Sequence, residues 1–211
     1  MIAAPNSRFP HPSQASEEGL LAVGGDLRPE TLLDAYAHGI FPWYAEGEPF
    51  LWWSPNPRTI LFPEKFHRSS RLKRRLKQVR YHAYRDKDFE AVISACAAPR
   101  REKNGEMGET WILPEMIEAY SRLFVLGYAH CFEIYDEDER IGGLYGVRLG
   151  HVFYAESMFS KKRDGSKMAM SYLCDWAMGE GIKLIDCQMP TQHLLSLGAE
   201  NMDRDKFLRL I

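Results

Sequence analysis

Apolar residues recur along the chain at two periods, and the period changes near residue 128. Before that point apolar positions three and four residues apart predict helices that begin near Pro29, Asp88 and Pro114. Over residues 129–159 apolar and polar positions alternate instead, which predicts three consecutive strands joined by short turns. The helical period then returns, so the pattern predicts a fold that mixes helices with an antiparallel meander.

The last quarter of the chain predicts a helix capped by Ser166, a strand over residues 182–187 and a short helix near residues 193–197. A meander followed by a helix and a further strand favours a mixed sheet covered by helices on both faces, which is an α+β architecture. GNAT-type acyltransferases share this layering, with the acyl donor bound where two strands splay apart. That comparison concerns the fold and says little about the substrate.

The first sixty residues are rich in aromatic residues and turn formers. Three of the five tryptophans lie within residues 43–53, and Pro55 and Pro57 exclude a central strand or helix at their own positions. Such rings either pack as a small core or form a platform on which a nucleobase stacks. Further along, residues 100–109 are polar and contain two glycines, which predicts a mobile loop.

Composition narrows the class of protein. The 211 residues are 45% apolar and 27% charged, as expected of a globular chain with one large or two smaller domains. No run approaches the roughly 20 apolar residues that cross a bilayer, and the N-terminus lacks the apolar core of a signal peptide. The four cysteines form no Cys-x-x-Cys pair, which suits reduced thiols in a cytosol better than disulfides or a zinc site.

The formal net charge of −2 hides a strong asymmetry. Residues 65–87 contain ten basic residues and one acidic residue, a local charge of +9 on an otherwise acidic chain. We call this segment the basic stripe. A basic stripe is the usual electrostatic footprint of a polyanion-binding protein, although a solvated helix face has the same composition.

Candidate chemistry is concentrated in polar residues inside apolar strands. The sequence contains no Gly-x-Ser-x-Gly, Walker or Gly-x-Gly-x-x-Gly motif and no His-x-x-x-His pair, which argues against triad, ATP, dinucleotide and metal chemistry. Asp186 and Gln188 should share one sheet face because strand side chains alternate, and Glu156 interrupts another apolar strand. A buried carboxylate needs a partner or a cavity. These residues therefore line a polar pocket or else mark solvated strand ends.

The loop over residues 160–165 is basic, contains a glycine and feeds the helix at Ser166. A helix N-terminus behind such a loop is a good phosphate site. Plain capping of the helix by Ser166 is the alternative.

Taken together, these segments resemble the leucyl/phenylalanyl-tRNA–protein transferases of bacteria. The matching stretches occur in the family's order and cover nearly the whole chain. They are EGLLAVGGDL (18–27), GIFPW (39–43), LWWSP (51–55), TWI (110–112), GGLYG (142–146), ESMFS (156–160), LIDCQ (184–188) and SLGA (196–199). The resemblance implies a small N-terminal domain over residues 1–62 and a GNAT-like aminoacyltransferase domain over residues 63–211.

The resemblance also implies the activity, which is the transfer of Leu or Phe, and less readily Met, from tRNA to an N-terminal Lys or Arg of a protein. Products would enter the N-degron pathway, and we expect a cytoplasmic monomer with no membrane contact. The donor ester is already activated, so we expect no metal, ATP or CoA. Gln188 is expected to accept a hydrogen bond from the attacking amine, with Asp186 orienting its amide. Glu156, together with Asp186, would supply negative potential for the cationic acceptor.

The resemblance implies three binding sites for the donor tRNA, one each for its terminal adenosine, its aminoacyl moiety and its acceptor stem. Trp43 and Trp111 would hold the terminal adenosine, where stacking is worth about 1–3 kcal/mol per base. The aminoacyl moiety would be bound by Leu144, Tyr145, Phe153, Ser157, Met158, Leu173 and Ile185. The acceptor stem would be bound through its phosphates by Arg71, Lys73, Arg74, Arg75, Lys77 and Arg80.

Two alternatives belong to other classes. One is an RNA-binding module with a degenerate transferase core, which the presence of Asp186 and Gln188 disfavours. The other is a CoA-dependent N-acetyltransferase that binds pyrophosphate at the loop over residues 160–167.

Overall fold

The computed structural model describes residues 7–99 and 110–211. The loop predicted over residues 100–109 lies outside the described residues. Within them the chain forms ten strands and seven α-helices. The strands are β1 (Leu20–Val23), β2 (Phe41–Pro42), β3 (Leu51–Trp53), β4 (Arg58–Leu61), β5 (Tyr81–Arg85), β6 (Ala129–Asp136), β7 (Glu139–Leu149), β8 (Val152–Ser160), β9 (Leu184–Gln188) and β10 (Glu200–Met202). The helices are α1 (Pro29–Ala37), α2 (Ser70–Leu76), α3 (Phe89–Ala97), α4 (Pro114–Val125), α5 (Gly165–Gly179), α6 (Gln192–Ser196) and α7 (Arg204–Leu208).

The strands form two sheets. A small antiparallel sheet has the order β1-β3-β2, and a seven-stranded sheet has the order β10-β4-β9-β8-β7-β6-β5. Every neighbouring pair in the large sheet is antiparallel except β8 and β9, which run parallel. The predicted α+β architecture with a mixed sheet is therefore confirmed, and the three strands of the meander lie where the alternation predicted them.

Helices cover both faces of the large sheet, as the layering rule requires. Helices α1, α3 and α4 pack on one face, and α5 packs on the other. Two separate clusters of buried residues result, one centred on Tyr36, Tyr120 and Tyr154 and one centred on Phe132 and Phe153. The site described below lies where the strands that divide these clusters separate.

Local signals explain most helix starts, with one correction. Proline occupies the first turn of α1 and α4, and the Asp88 side chain caps α3 by accepting from the Ala91 N–H. The predicted cap at Ser166 is wrong. The N-cap is Asp164, and α5 begins at Gly165, two residues earlier than a cap at Ser166 would give, with the Ser166 N–H donating to Ser160 Oγ. Gly165 also packs closely on β7, since a Cβ at Gly142 would lie 2.4 Å from the Gly165 carbonyl carbon.

Strand β4 was not expected, since it follows directly on Pro55 and Pro57. It begins at Arg58 and lies inside the large sheet, between β10 and β9. Strand β4 thus precedes the predicted boundary at residue 62 while pairing within the sheet of the larger domain. The division of the chain into domains over residues 1–62 and 63–211 stays a prediction.

None of the helices in the part of the chain that the structure describes is both long enough and apolar enough to cross a membrane.

Candidate active site

The candidate site is a cavity of about 340 Å³ at the point where β8 and β9 separate. The two strands pair only from Val152 to Tyr154 on one side and from Leu184 to Asp186 on the other. Beyond these pairs the strands diverge, and the cavity opens between residues 155–158 and residues 187–189. A cavity thus lies where the two strands splay apart.

A β-bulge on each strand shapes this cavity. On β8, Ser157 pairs with Tyr145 and Ala155 pairs with Gly146, so Glu156 is an extra residue. On β9, the pairing jumps from Asp186 to Gln188, which leaves Cys187 as the extra residue. Bulges re-aim side chains and are common beside active sites. Consecutive residues therefore face the cavity on both strands, which strict alternation would forbid.

The cavity wall is mostly apolar, with a few polar groups on one side. Its lining residues are Phe41, Pro42, Trp43, Trp111, Leu144, Ala155, Glu156, Ser157, Met158, Met170, Cys187, Gln188, Met189, Thr191 and Leu194. A small apolar chamber with convergent polar groups is the usual form of a small-molecule site. Trp111, Glu156 and Gln188 surround one cavity, which the sequence-based mechanism required.

Four residues expected to bind substrate do not line the cavity. Phe153, Leu173 and Ile185 are fully buried in the cluster between the sheet and α5, and Tyr145 is fully buried on the opposite face. On the strands the physical reason is that Phe153 and Ile185 pair with each other, before β8 and β9 separate to form the cavity. On α5 the cavity is contacted by Met170, almost one turn before Leu173.

The two tryptophans also border a second cavity of about 990 Å³. Trp43 is 40% exposed, and its ring lies 5.7 Å from that of Trp53. Trp43 and Trp111 therefore stand at the junction of a small apolar chamber and a larger, open one. The larger cavity also contains Glu46 and Glu48.

Glu156 is the end of a hydrogen-bonded chain that leads into the core. The Tyr120 hydroxyl donates to Glu156 Oε2 at 2.9 Å, and the Tyr36 hydroxyl lies 2.5 Å from that of Tyr120. The Gln188 amide nitrogen donates to Glu156 Oε1 at 3.3 Å. Burial raises the pKa of Glu156 to about 7, although the hydroxyls of Tyr36 and Tyr120 oppose this shift. Glu156 can therefore gain or lose a proton near neutral pH.

Asp186 does not lie at the cavity. It is fully buried and forms a bidentate ion pair with Arg58, with Nε–Oδ1 and Nη2–Oδ2 distances of 2.8 and 2.6 Å. Its Oδ1 also accepts from the backbone N–H of Gln188 at 3.0 Å. The expectation that Asp186 shares a cavity face with Gln188 is wrong, and Asp186 holds the backbone N–H of Gln188 rather than its side-chain amide. Gln188 adopts a left-handed backbone (φ 58°) after the bulge, and Arg58 neutralises the carboxylate.

Sequence reasoning missed Arg58, Tyr36 and Tyr120. An arginine two residues before the apolar run over residues 60–62 was an available signal, because a cation in a buried strand needs a buried anion. The tyrosines gave no such signal, since their positions also fit the apolar faces of α1 and α4.

The basic stripe divides into anchored and unpaired residues. Arg71 and Arg75 form ion pairs with Asp164, and Arg80 pairs with Asp136. Lys73, Arg74 and Lys77 are exposed, and the structure shows no ion pair for them within residues 7–99 and 110–211. Arg71 and Arg75 hold α2 against the basic loop between β8 and α5, so that two basic segments share one surface.

The described residues offer little for a metal or a thiol nucleophile. No group of three or more His, Cys, Asp or Glu side chains in the described ranges could hold a metal ion. All four cysteines are buried, and burial raises the pKa of the Cys174 thiol to about 12 and that of Cys187 further. Cys187 therefore lines the cavity as an apolar surface rather than as a thiolate.

Comparison with known proteins identifies the family. The model of the leucyl/phenylalanyl-tRNA protein transferase family matches residues 60–211, and the model of its N-terminal domain matches residues 25–56. The chain belongs to this family. A leucyl/phenylalanyl-tRNA–protein transferase of Desulfatibacillum aliphaticivorans is 54% identical over 96% of this chain and 86% of its own length. One of Maridesulfovibrio salexigens is 52% identical over 96% and 84%. As a leucyl/phenylalanyl-tRNA–protein transferase family member, the chain is an aminoacyltransferase.

Among solved structures, FemX aligns with a TM-score of 0.50 at 11% identity, covering 87% of this chain and 71% of its own. This likeness concerns the fold, and it agrees with the mixed sheet described above.

Proposed function

We propose that this enzyme transfers Leu or Phe, and less readily Met, from tRNA to an N-terminal Lys or Arg of a protein and so marks it for the N-degron pathway. The observation that carries the proposal is the meeting of Glu156 and Gln188 at the mouth of an apolar chamber bordered by Trp43 and Trp111. Such a site combines a slot for an apolar side chain, a platform for a base and polar groups for the reacting centre.

The donor is placed across the two cavities. The Leu or Phe side chain enters the small chamber and contacts Leu144, Met158 and Met170. The terminal adenosine stacks on Trp43 and Trp111 where the chambers meet. The ester carbonyl then lies between the chambers, next to Gln188 and Glu156. The small chamber is expected to favour side chains that are unbranched at Cβ, such as those of Leu and Phe.

The reaction is aminolysis of the ester. The acceptor's α-amine attacks the carbonyl carbon, the C–N bond forms, and the C–O bond to the ribose breaks. One proton must move from the amine to the ribose oxygen. Glu156 is suited to carry it, because a carboxyl group with a pKa of about 7 exchanges protons readily near neutral pH. The carbonyl oxygen of Gln188 accepts from the amine, since its amide nitrogen already donates to Glu156.

The acceptor is a cation, and the charges around the cavities favour one. Glu156 faces the small chamber, and Glu46 and Glu48 border the large one. Asp186 lies behind the cavity and is paired with Arg58, so these three carboxylates are the ones that face the acceptor. Recognition of an N-terminal Lys or Arg follows from this negative potential.

We expect the affinity for tRNA to fall about fortyfold between about 50 and 200 mM salt. Three phosphate contacts, by Lys73, Arg74 and Lys77, give a slope of about −0.9 each in a plot of log affinity against log salt. Filter binding over this range checks the value. The triple change to Gln should flatten the slope, whereas Lys206→Gln with Arg209→Gln should not. If the tRNA affinity of the unchanged protein did not depend on salt, the basic stripe would be a solvated helix face rather than a phosphate-binding surface.

The decisive experiment separates this function from its two rivals. The enzyme is incubated with an Arg-initiated peptide and either labelled Leu-tRNA or labelled acetyl-CoA. We expect transfer from the tRNA and none from acetyl-CoA. Transfer from acetyl-CoA alone would refute the proposal, and binding of tRNA without any transfer would indicate the RNA-binding module.

The start of α5 also disfavours the CoA alternative. The Gly165 N–H donates to the Lys162 carbonyl and the Ser166 N–H donates to Ser160 Oγ, each at 3.1 Å. A pyrophosphate site needs such N–H groups aimed at the ligand. Here two of them are used within the loop.

A further inference from the structure

Arg58 is a fully buried guanidinium at the start of β4. Its Nε and Nη2 atoms donate to the two oxygens of Asp186, and its carbon Cζ lies 4.8 Å from the ring centres of both Phe41 and Phe207. The carboxylate of Asp186 therefore contacts the guanidinium through two hydrogen bonds, and the rings of Phe41 and Phe207 pack against it. Phe41 itself lines the small chamber, so this arrangement lies directly behind the site.

A buried ion pair of this kind is weak evidence for a role in stability. Removing two charges from water is costly, and well-packed apolar residues of similar volume often give an equally stable protein. The remaining guanidinium nitrogen, Nη1, is buried without a hydrogen-bond partner in the described structure, which adds to that cost. The pair therefore calls for an explanation other than stability.

The geometry of Gln188 supplies one. Its backbone is left-handed, with φ 58°, a conformation that strains a residue with a side chain. Its N–H donates to Asp186 Oδ1, the same oxygen that accepts from Arg58 Nε. One carboxylate oxygen thus joins the guanidinium to the strained backbone. The direction of the Gln188 side chain, which reaches Glu156, follows from that backbone.

We propose that Arg58 is a positioning residue for aminoacyl transfer. It fixes Asp186, Asp186 fixes the left-handed backbone of Gln188, and Gln188 thereby presents its carboxamide to the reacting centre. This inference rests on the role proposed for Gln188 and goes beyond it, because it assigns Arg58 and Asp186 to the geometry of the site rather than to contact with substrate. Displacement of a reacting group by about 1 Å costs about a hundredfold in rate.

The test is a double-mutant cycle with Arg58→Lys and Gln188→Ala. Lys keeps the charge and can donate to one carboxylate oxygen, but it cannot form the bidentate pair, so the enzyme should fold with Asp186 less firmly held. Arg58→Lys alone should lower kcat for transfer from Leu-tRNA to an Arg-initiated peptide about tenfold to a hundredfold. KM for both substrates should stay within about twofold, because no substrate contact is lost.

The second arm distinguishes positioning from a general loss of structure. In the Gln188→Ala background, Arg58→Lys should have little further effect, because the group that it positions is already absent. The matched control is Arg204→Lys, which changes a partly buried arginine that donates to the Ser54 carbonyl at 2.7 Å. It should leave kcat unchanged. Thermal unfolding of each variant shows that the compared proteins are folded.

The outcomes separate this inference from the proposed function. If Arg58→Lys leaves kcat unchanged, or lowers it equally in both backgrounds, Arg58 does not act through Gln188 and the inference is overturned. If Gln188→Ala itself has no effect, the role proposed for Gln188 is wrong and the inference falls with it. The inference is supported if Arg58→Lys lowers kcat tenfold or more when Gln188 is present and has little effect in the Gln188→Ala variant.

Discussion

Replacing Gln188 with alanine is expected to lower kcat about 10²- to 10³-fold, the range observed when one preorganised hydrogen-bonding group is removed from an active site. The Gln188 side chain lines the cavity, where its amide nitrogen donates to Glu156. Its carbonyl oxygen is the group proposed to accept a hydrogen bond from the incoming amine. The affinity for aminoacyl-tRNA should stay nearly unchanged, because the apolar slot and the basic stripe are intact.

Steady-state transfer from labelled Leu-tRNA to an Arg-initiated peptide gives kcat, and filter binding gives the tRNA affinity. Gln192→Ala is the matched control, since Gln192 is an exposed glutamine at the start of the neighbouring helix α6. A Gln188→Ala enzyme that turns over at the control rate would remove this residue from the mechanism.

Asp186→Ala, which the sequence suggests as an equivalent test, measures something different. Removing one partner of a buried ion pair costs about 3–5 kcal/mol in the free energy of unfolding, because the other charge stays buried and unpaired. Arg58 would be that charge. Lost activity in this variant therefore combines lost stability with lost positioning of Gln188.

Glu156→Gln is expected to lower kcat about 10²- to 10⁴-fold, the usual contribution of a general acid–base group. Gln keeps the shape of the side chain, offers one acceptor oxygen in place of two, and cannot carry the proton from the amine. In the unchanged enzyme, kcat/KM should rise as pH increases through about 7, as Glu156 becomes ionised. The variant should lose this inflection.

Stability gives an independent check on the same pKa. A carboxyl group whose pKa is raised from 4.5 to about 7 on folding binds more protons in the folded than in the unfolded state between those values. The free energy of unfolding should therefore fall as pH rises through this range, and Glu156→Gln should lose that part of the dependence. Glu90→Gln, an exposed carboxyl on α3, is the control. An unchanged inflection in the Gln variant would show that another group titrates there.

The sequence by itself determined the family, the main helices and the antiparallel meander. The 3.6-residue period predicted α1, α3 and α4, and the alternation predicted β6, β7 and β8, because these signals are local consequences of burying one face. The ordered motifs predicted the family, and the sequence also predicted that Trp43, Trp111, Glu156 and Gln188 lie at the site.

Only the tertiary structure decided which neighbours of these residues face the cavity. Alternation assigns side chains correctly along a regular strand, and it fails at the bulges of Glu156 and Cys187, which depend on pairing with β7 and β4. For that reason Cys187 lies in the cavity wall, whereas Phe153 and Ile185 lie in the core where β8 and β9 still pair. The partner of Asp186 was also beyond local reasoning, because Arg58 lies 128 residues away in the chain. Contacts of that range are made by the folded sheet, and no periodicity in the sequence encodes them.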